Sequence, residues 1–269
     1  MQNKIQSLQN NKIKLLLQLK EKSKVRKKEK CFIIEGKREI SLALEGGYTI
    51  TQIYYCHDIC TYEQASKLTS NIHQHIDFFE VTTEIYQKLA YRSTTEGIIA
   101  LAKYKSTTIE NLLIPNKNPL ILVAEAPEKP GNIGALLRTA DAAQLDAVII
   151  ANPKTDIYNP NIIRSSVGCV FTNNVATGTM TEVIQFLKSH NINMYGAALD
   201  SSTNYTRQDY TKPSAIIVGT EATGLSDYIL AHTTQNIKIP MNGVIDSMNV
   251  SVAAGILIFE AKRQRGFDD

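Results

Sequence analysis

The chain has no run of about 18 consecutive apolar residues, the length a membrane-crossing helix needs, so no membrane association through a helix is expected. The N-terminal stretch MQNKIQSLQNNKIK lacks an apolar core followed by small residues, so no secretory signal is expected there and the cytoplasm is the expected location. Cysteine is scarce, at Cys31, Cys56, Cys60 and Cys169. Cys56 and Cys60 flank His57, yet no second ligand pair stands at zinc-site spacing, and free thiols in a reducing compartment are expected. His73 and His75 form an H-x-H with no third ligand in sight, which reads as a structural pair; no metal is expected. Neither G-x-G-x-x-G nor G-x-x-x-x-G-K-[ST] occurs, which removes the main support for a nicotinamide enzyme or a nucleotide hydrolase. No internal repeat or low-complexity segment stands out.

What is present is an ordinary globular composition, with 43% hydrophobic and 20% charged residues over 269 positions, enough for two modest domains. Charge is informative in its distribution. The net is +3, but residues 1–40 hold 12 Lys/Arg against 4 Asp/Glu, a balance of +8, and the remainder carries −5. The run KLLLQLKEKSKVRKKEK concentrates positive potential where a phosphate backbone can dock, with a solvated helix face as the alternative.

Residues 1–30 read as helix, with Ile5, Leu8, Ile13, Leu16, Leu17 and Leu19 near helical spacing. Short strands and helices then alternate: CFIIEG, KREISLALEGG, ITQIYYC, TYEQASKLTSNI, IDFFEV, TEIYQKLA and GIIALAKY, ending near residue 105. The polar KSTTIENLLIPNKNP, with two prolines, reads as a linker over 106–118. A second alternation follows in 119–269: the strand PLILVAEA, the loop PEKPGNIG, the helix ALLRTADAAQ, the strand DAVIIAN, later strands NMYGAAL, AIIVG and NIKIP, and a last helix SMNVSVAAGILIFEAKRQR. Fully apolar strands between helices imply an α/β fold with a mainly parallel sheet covered on both faces.

In such sheets ligands sit outside the carboxyl ends of the strands, and three loops there are unusual. The first holds Gly131, Asn132 and Gly134, with Arg138 following on the helix. Asn132 can cap that helix or bind a ligand, and Arg138 can reach a phosphate or stand on the surface. The second, IIVGTEATGLSD, places Gly219 and Gly224 around Glu221 and precedes Leu225; Glu221 either orients the loop or contacts a ligand. The third, IKIPMNGVIDSMNVS, has an apolar wall at Ile239, Pro240 and Met241, a turn at Gly243, and Ser247 and Asn249 at the helix start, where each can cap it.

Together these loops resemble the SpoU-type (TrmH-type) RNA ribose methyltransferases of the SPOUT superfamily. N-x-G-x-x-x-R is matched by Asn132, Gly134 and Arg138; G-x-E-x-x-G-[LM] by Gly219, Glu221, Gly224 and Leu225; and I-P-M-x-G-x-x-x-S-L-N-V-S by Ile239 through Ser251, with Met248 in place of leucine and Thr220 in place of a frequent Asn or Ala. YNPNIIRSSVGCVF is similar to a family segment whose arginine, here Arg164, approaches the active site. CFIIEGKREISLAL resembles the family's auxiliary domain, a small α/β unit similar to RNA-binding ribosomal proteins.

The resemblance implies a C-terminal SPOUT α/β domain with a deep trefoil knot. It implies S-adenosyl-L-methionine as cofactor, held by Gly219, Glu221, Gly224, Leu225, Ile239, Met241 and Met248. It implies methyl transfer to a ribose 2′-hydroxyl with Asn132, Arg138, Ser247 and Asn249 completing the site. Arg138 either accepts the hydroxyl proton or grips the neighbouring phosphate; a guanidinium is a poor base, which favours the second. Lys24, Arg26, Lys27, Lys28 and Arg164 are the expected RNA contacts. The two-domain layout points to ribosomal rather than transfer RNA, and the family implies a homodimer through the knotted domain, with Ile256 and Phe259 as interface or core residues. The competing readings are an RNA-binding protein that kept the fold without catalysis, and a base methyltransferase.

Overall fold

A computed structural model describes residues 3–70, 75–91, 96–199, 202–245 and 247–267. The chain forms two compact units, one of residues 1–105 with 156–172 and one of 106–155 with 173–269.

The first unit is built from β1 (Asn3–Ile5), α1 (Asn11–Glu21), α2 (Ser23–Glu29), β2 (Cys31–Glu35), α3 (Lys37–Glu45), β3 (Ile50–Cys56), α4 (Tyr62–Lys67), β4 (Asp77–Val81), α5 (Thr83–Leu89) and β5 (Ile98–Lys103). The single helix expected over 1–30 is a strand and two helices. Asn10 caps α1 by accepting from the Lys12 N–H, and the extended backbone of Lys22 separates α1 from α2. Lys30, in the left-handed region at φ 51°, then turns the chain into β2. The five strands lie in the order β1-β4-β3-β5-β2, with β5 antiparallel to both of its neighbours. Ile13, Leu16 and Leu19 of α1 pack with Ile33, Tyr54, Phe79 and Leu101 in one core. Segment 156–172, far along the chain, completes this unit. Tyr158 stacks on Phe32 at 4.2 Å and Asp156 pairs with Arg26.

The second unit begins at 106. The polar stretch read as a linker contains a short 3-10 turn, Ile109–Asn111, whose Ile109 is buried with Leu112 in this unit's core. Then come β6 (Leu120–Glu125), α6 (Pro130–Ala142), β7 (Ala147–Ala151), α7 (Pro160–Ser165, part of the first unit), β8 (Val175–Gly178), α8 (Met180–Ser189), β9 (Asn193–Ala197), β10 (Thr203–Asn204), β11 (Ser214–Val218), α9 (Asp227–Leu230), β12 (Gln235–Lys238) and α10 (Val250–Arg265). Seven strands lie in the order β10-β12-β9-β11-β6-β7-β8, every pairing parallel. The expected parallel sheet is borne out. β6, β7 and β11 are buried at every position, as strands covered on both faces must be.

Two helix starts differ from the sequence reading. α6 begins at Pro130, so Gly131, Asn132 and Gly134 lie in its first turns and not in a loop. Proline at the first helical position has no N–H to leave unsatisfied, and this favours the early start over the glycines' lower propensity. α10 begins at Val250, with Asn249 as its N-cap accepting from the Ser251 N–H at 2.9 Å; Ser247 is not a cap.

Candidate functional site

The carboxyl ends of β9, β11 and β12 open onto a cavity of about 550 Å³ in the second unit. Ala197 to Leu199 line it at and after the end of β9, Val218 to Leu225 at and after the end of β11, and Ile237 to Ile239 with Met241 at and after the end of β12. Val250, Ala253 and Leu257 of α10 close one side. All seven residues expected to hold the cofactor line this one cavity: Gly219, Glu221, Gly224, Leu225, Ile239, Met241 and Met248. Ser247 lines it as well.

The loop after β11 folds back on itself. The Thr220 N–H donates to the Gly224 carbonyl at 3.0 Å and the Gly224 N–H donates to the Thr220 carbonyl at 3.1 Å. The return leg lies so close to Gly219 that a Cβ there would stand 2.1 Å from the Gly224 carbonyl carbon. Gly224 itself has φ +68°, a conformation that favours glycine. The cavity wall at this point is therefore bare backbone, which offers N–H and C=O groups to a ligand. Ile239, Met241, Met248 and Leu225 supply apolar surface.

Asn132 joins the first turn of α6, the loop after β11 and the start of α10 through side chains. Its amide N–H donates to a Glu221 carboxylate oxygen, and its carbonyl oxygen accepts from the Asn249 amide at 3.2 Å. The Asn249 oxygen meanwhile accepts from the Ser251 N–H and hydroxyl. Asn132, Glu221 and Asn249 form one hydrogen-bonded bridge at the cavity's edge, though Asn132 and Asn249 do not line it.

Arg138 is exposed on α6 and is not among the lining residues. It has no ion-pair or hydrogen-bond partner among the described residues. The structure thus gathers the loops and leaves this arginine outside the cavity of its own chain.

In the first unit, Lys24, Lys27 and Lys28 are exposed on α2. Arg26 corrects the sequence reading. It is 2% exposed, and its Nε and Nη2 donate to the two Asp156 carboxylate oxygens at 3.0 and 2.8 Å while Nη1 donates to the Leu19 carbonyl. At about 100° per residue, positions 24, 27 and 28 share a helix face and position 26 points the other way, so Arg26 is a core residue and no RNA contact. Arg164, on α7, lies over the Tyr91 ring at 5.4 Å and donates to Asn161. None of the four cysteines is in a disulfide; Cys56 and Cys60 are buried. His75 lies 3.0 Å from Asp77 and His73 falls outside the described residues. No group of metal-binding side chains occurs among the described residues.

Sequence reasoning missed two features. The strand NMYGAAL ends in residues that line the cavity, a position the carboxyl-edge rule could have flagged. Glu125, at the end of the apolar strand LILVAE, is 6% exposed and accepts from the Ser226 N–H at 2.9 Å and the Ser226 hydroxyl at 2.6 Å. A carboxylate closing an otherwise apolar buried strand was the available signal.

The model of the SpoU rRNA Methylase family matches residues 119–259. The chain belongs to the SpoU rRNA methylase family. A second model, an MRM3-like substrate binding domain, matches residues 10–100. Among curated relatives, the 23S rRNA (guanosine(2553)-2′-O)-methyltransferase RlmP of Bacillus subtilis is 34% identical over 142 residues, 53% of this chain and 57% of that protein. The matched stretch therefore spans little more than half of that relative's length. A solved RNA 2′-O ribose methyltransferase is 37% identical with a TM-score of 0.83, over 97% of this chain and 99% of that one. An AdoMet-bound rRNA methyltransferase from Sinorhizobium meliloti is 25% identical with a TM-score of 0.87, over 97% of each chain. The SpoU resemblance read from the three loops is borne out by these matches.

Proposed function

We propose that this SpoU-family chain transfers a methyl group from S-adenosyl-L-methionine to a ribose 2′-hydroxyl in ribosomal RNA. The observation that carries the reading is the convergence of the seven expected cofactor residues on one cavity of about 550 Å³. That volume lies within the range of small-molecule sites, about 300–1,000 Å³, and its mixture of bare backbone at Gly219 and apolar surface at Ile239, Met241 and Met248 suits a ligand with an adenine and an aliphatic, charged tail. When bound, the cofactor supplies an electrophilic methyl on a sulfonium.

The chain's own residues hold and orient. Gly219 and Gly224 keep the β11 loop folded against itself, and the apolar wall keeps water from the reacting centre. The Asn132–Glu221–Asn249 bridge fixes the relative positions of the loop and the start of α10. Ser247, at the cavity, is the hydroxyl available to the incoming ribose or cofactor. Arg138 grips the phosphate beside the target ribose, since a guanidinium is a poor base. Positioning of this kind supplies a large share of such a barrier, about 7–11 kcal/mol in favourable cases.

Arg138 serves the cavity of a second copy in a homodimer. In support, it stands outside its own chain's cavity, and Val252 and Phe259 of α10 are 53% and 42% exposed, an apolar stripe that a partner would cover. The deep trefoil knot of the family, residues 1–105 as the RNA-binding domain ahead of the methyltransferase domain at 119–269, and a cytoplasmic place of action belong to the same reading. Lys24, Lys27, Lys28 and Arg164 are the RNA contacts it assigns to the first unit.

The test is direct. Ribosomal RNA from cells lacking the protein is incubated with enzyme and S-adenosylmethionine, digested to nucleosides and analysed by mass spectrometry. A new 2′-O-methyl nucleoside is expected. A methylated base instead, or methylation of transfer RNA alone, rejects the corresponding part of the reading; no methylation together with no heat on cofactor titration rejects it whole.

A further inference from the structure

We propose that Glu125 is a positioning residue for the cofactor cavity, acting through Ser226 to hold the β11 loop in the shape that receives S-adenosylmethionine; this rests on the reading of that cavity given above.

The placement follows from strand register. β6 and β11 pair in parallel with Ala124 beside Val218, so Glu125 and Gly219 are the next positions at the carboxyl edge, one on each strand. Alternation puts Glu125 on the same sheet face as Ile121 and Val123. Those two pack in the core with Leu225 and Ile229, which flank Ser226. The Glu125 carboxylate therefore meets the loop where it comes back down onto the sheet. One oxygen accepts from the Ser226 backbone N–H and the other from the Ser226 hydroxyl, and that hydroxyl oxygen accepts in turn from the Ile229 N–H at the start of α9.

The loop is thus closed twice. Thr220 and Gly224 pair across its neck, and Glu125 fastens its outgoing end. The fastening matters because the wall has no slack. Gly219 lies against Gly224 and Leu225 with no room even for a Cβ, so any shift of Ser226 is passed to the backbone that lines the cavity. Immediately after Glu125 the chain turns away at Ala126, which is left-handed at φ 45° and donates its N–H to the Ala151 carbonyl. Glu125 is therefore the last β6 residue, on a strand held between the buried strands β7 and β11. Glu125 itself does not line the cavity, and its effect on a ligand passes through the loop. Nothing in the proposed chemistry calls on it, and an apolar residue would fill the same space, so its polar end is accounted for by the loop it fastens.

Removing one partner of a buried hydrogen bond corresponds to about 5- to 150-fold in an equilibrium constant. S-adenosylmethionine titration by calorimetry is the main measurement, on wild type, Glu125→Ala, Glu125→Gln, Ser226→Ala and the double variant. Glu125→Ala is expected to weaken cofactor binding about tenfold or more while RNA affinity stays at the wild-type level. Ser226→Ala, at an exposed position, is expected to weaken it less, and the double variant to be no weaker than Glu125→Ala alone. Glu125→Gln can still accept from the Ser226 N–H and donate to its hydroxyl, so it is expected to restore most of the affinity. Wild-type affinity in Glu125→Ala, or full additivity in the double variant, overturns the proposal. If Glu125→Ala does not fold, Ser226→Ala and Glu125→Gln carry the same test through the cofactor affinity they retain. Should wild type itself bind no cofactor, the reading of the cavity fails separately. Hydrogen exchange then decides the loop role: the amides of residues 220–226 should lose protection in Ser226→Ala, and unchanged protection overturns it.

Discussion

Replacing Arg26 by alanine separates a core role from a nucleic-acid role for the one buried basic residue in the basic run. The side chain is 2% exposed, and its partner Asp156 has a side chain 6% exposed. Four guanidinium hydrogen bonds, two to Asp156 and one each to the Leu19 and Lys20 carbonyls, tie α2 to segment 156–172 and to α1. Truncation leaves the Asp156 carboxylate buried, with the Tyr104 hydroxyl at 3.4 Å among the donors that remain. Breaking a buried pair from one side costs about 3–5 kcal/mol, a large share of the roughly 5–15 kcal/mol that holds a domain folded. With a urea dependence of about 2 kcal/mol per molar, the midpoint should fall by about 2 M. Arg26→Met combined with Asp156→Leu should recover most of the loss, because no buried charge is left behind.

The pH dependence carries a sign. Burial works to raise the Asp156 pKa, but hydrogen bonds from Arg26 and Ser23 and the Arg26 charge outweigh it, and the carboxyl lies below its usual range. A depressed folded pKa gives stability that is present above the unfolded value, about 3.9, and lost as pH falls through the folded one. Wild type should therefore lose this contribution only in acid. In Arg26→Ala the unpaired buried carboxylate should reverse the slope, so that lowering pH from 7 to 5 stabilises the variant. Denaturant melts followed by circular dichroism at several pH values measure both effects. An unchanged midpoint, together with a weaker RNA affinity of reduced salt dependence, would refute the core assignment.

Three further outcomes are expected. Reversing the charge of Lys24, Lys27 and Lys28 together should weaken RNA binding and lower its log-log salt slope by up to about 3, with little change in melting temperature, as filter binding from low to moderate salt will show. Gly219→Ala should abolish S-adenosylmethionine binding in calorimetry, because its Cβ would stand 2.1 Å from the Gly224 carbonyl carbon and the loop must open to admit it; wild-type affinity would contradict the packing. Arg138→Ala should retain cofactor binding and lose turnover by about a hundredfold or more. Mixing it with a Gly219→Ala chain should restore part of the activity through hybrid dimers, and no restoration would place Arg138 with its own chain's cavity.

The site was largely legible in the sequence, and for a local reason. Cavity walls made of strand-end loops depend on glycines and apolar residues at fixed spacing, as at Gly219, Gly224, Ile239 and Met248, and such spacing is visible along one strand-to-helix connection. The α/β alternation was legible because a buried parallel strand such as LILVAE is apolar throughout. The start of α6 was less so, since Gly131 and Gly134 read as loop residues until Pro130 is seen to open the helix.

Only the tertiary structure decided the rest. Arg26 and Asp156 are 130 residues apart, Glu125 and Ser226 are 101, Asn132 and Asn249 are 117, and Asn132 and Glu221 are 89. No periodicity spans such separations. The sequence by itself determined that a cavity of this composition would form at the carboxyl edge of a parallel sheet, because that depends on local backbone freedom and on which faces are apolar. Which polar residues would fasten the loops around it, and which member of a basic run would turn inward, depended on what the folded chain brought within hydrogen-bonding distance, where an unpaired buried group is too costly to leave.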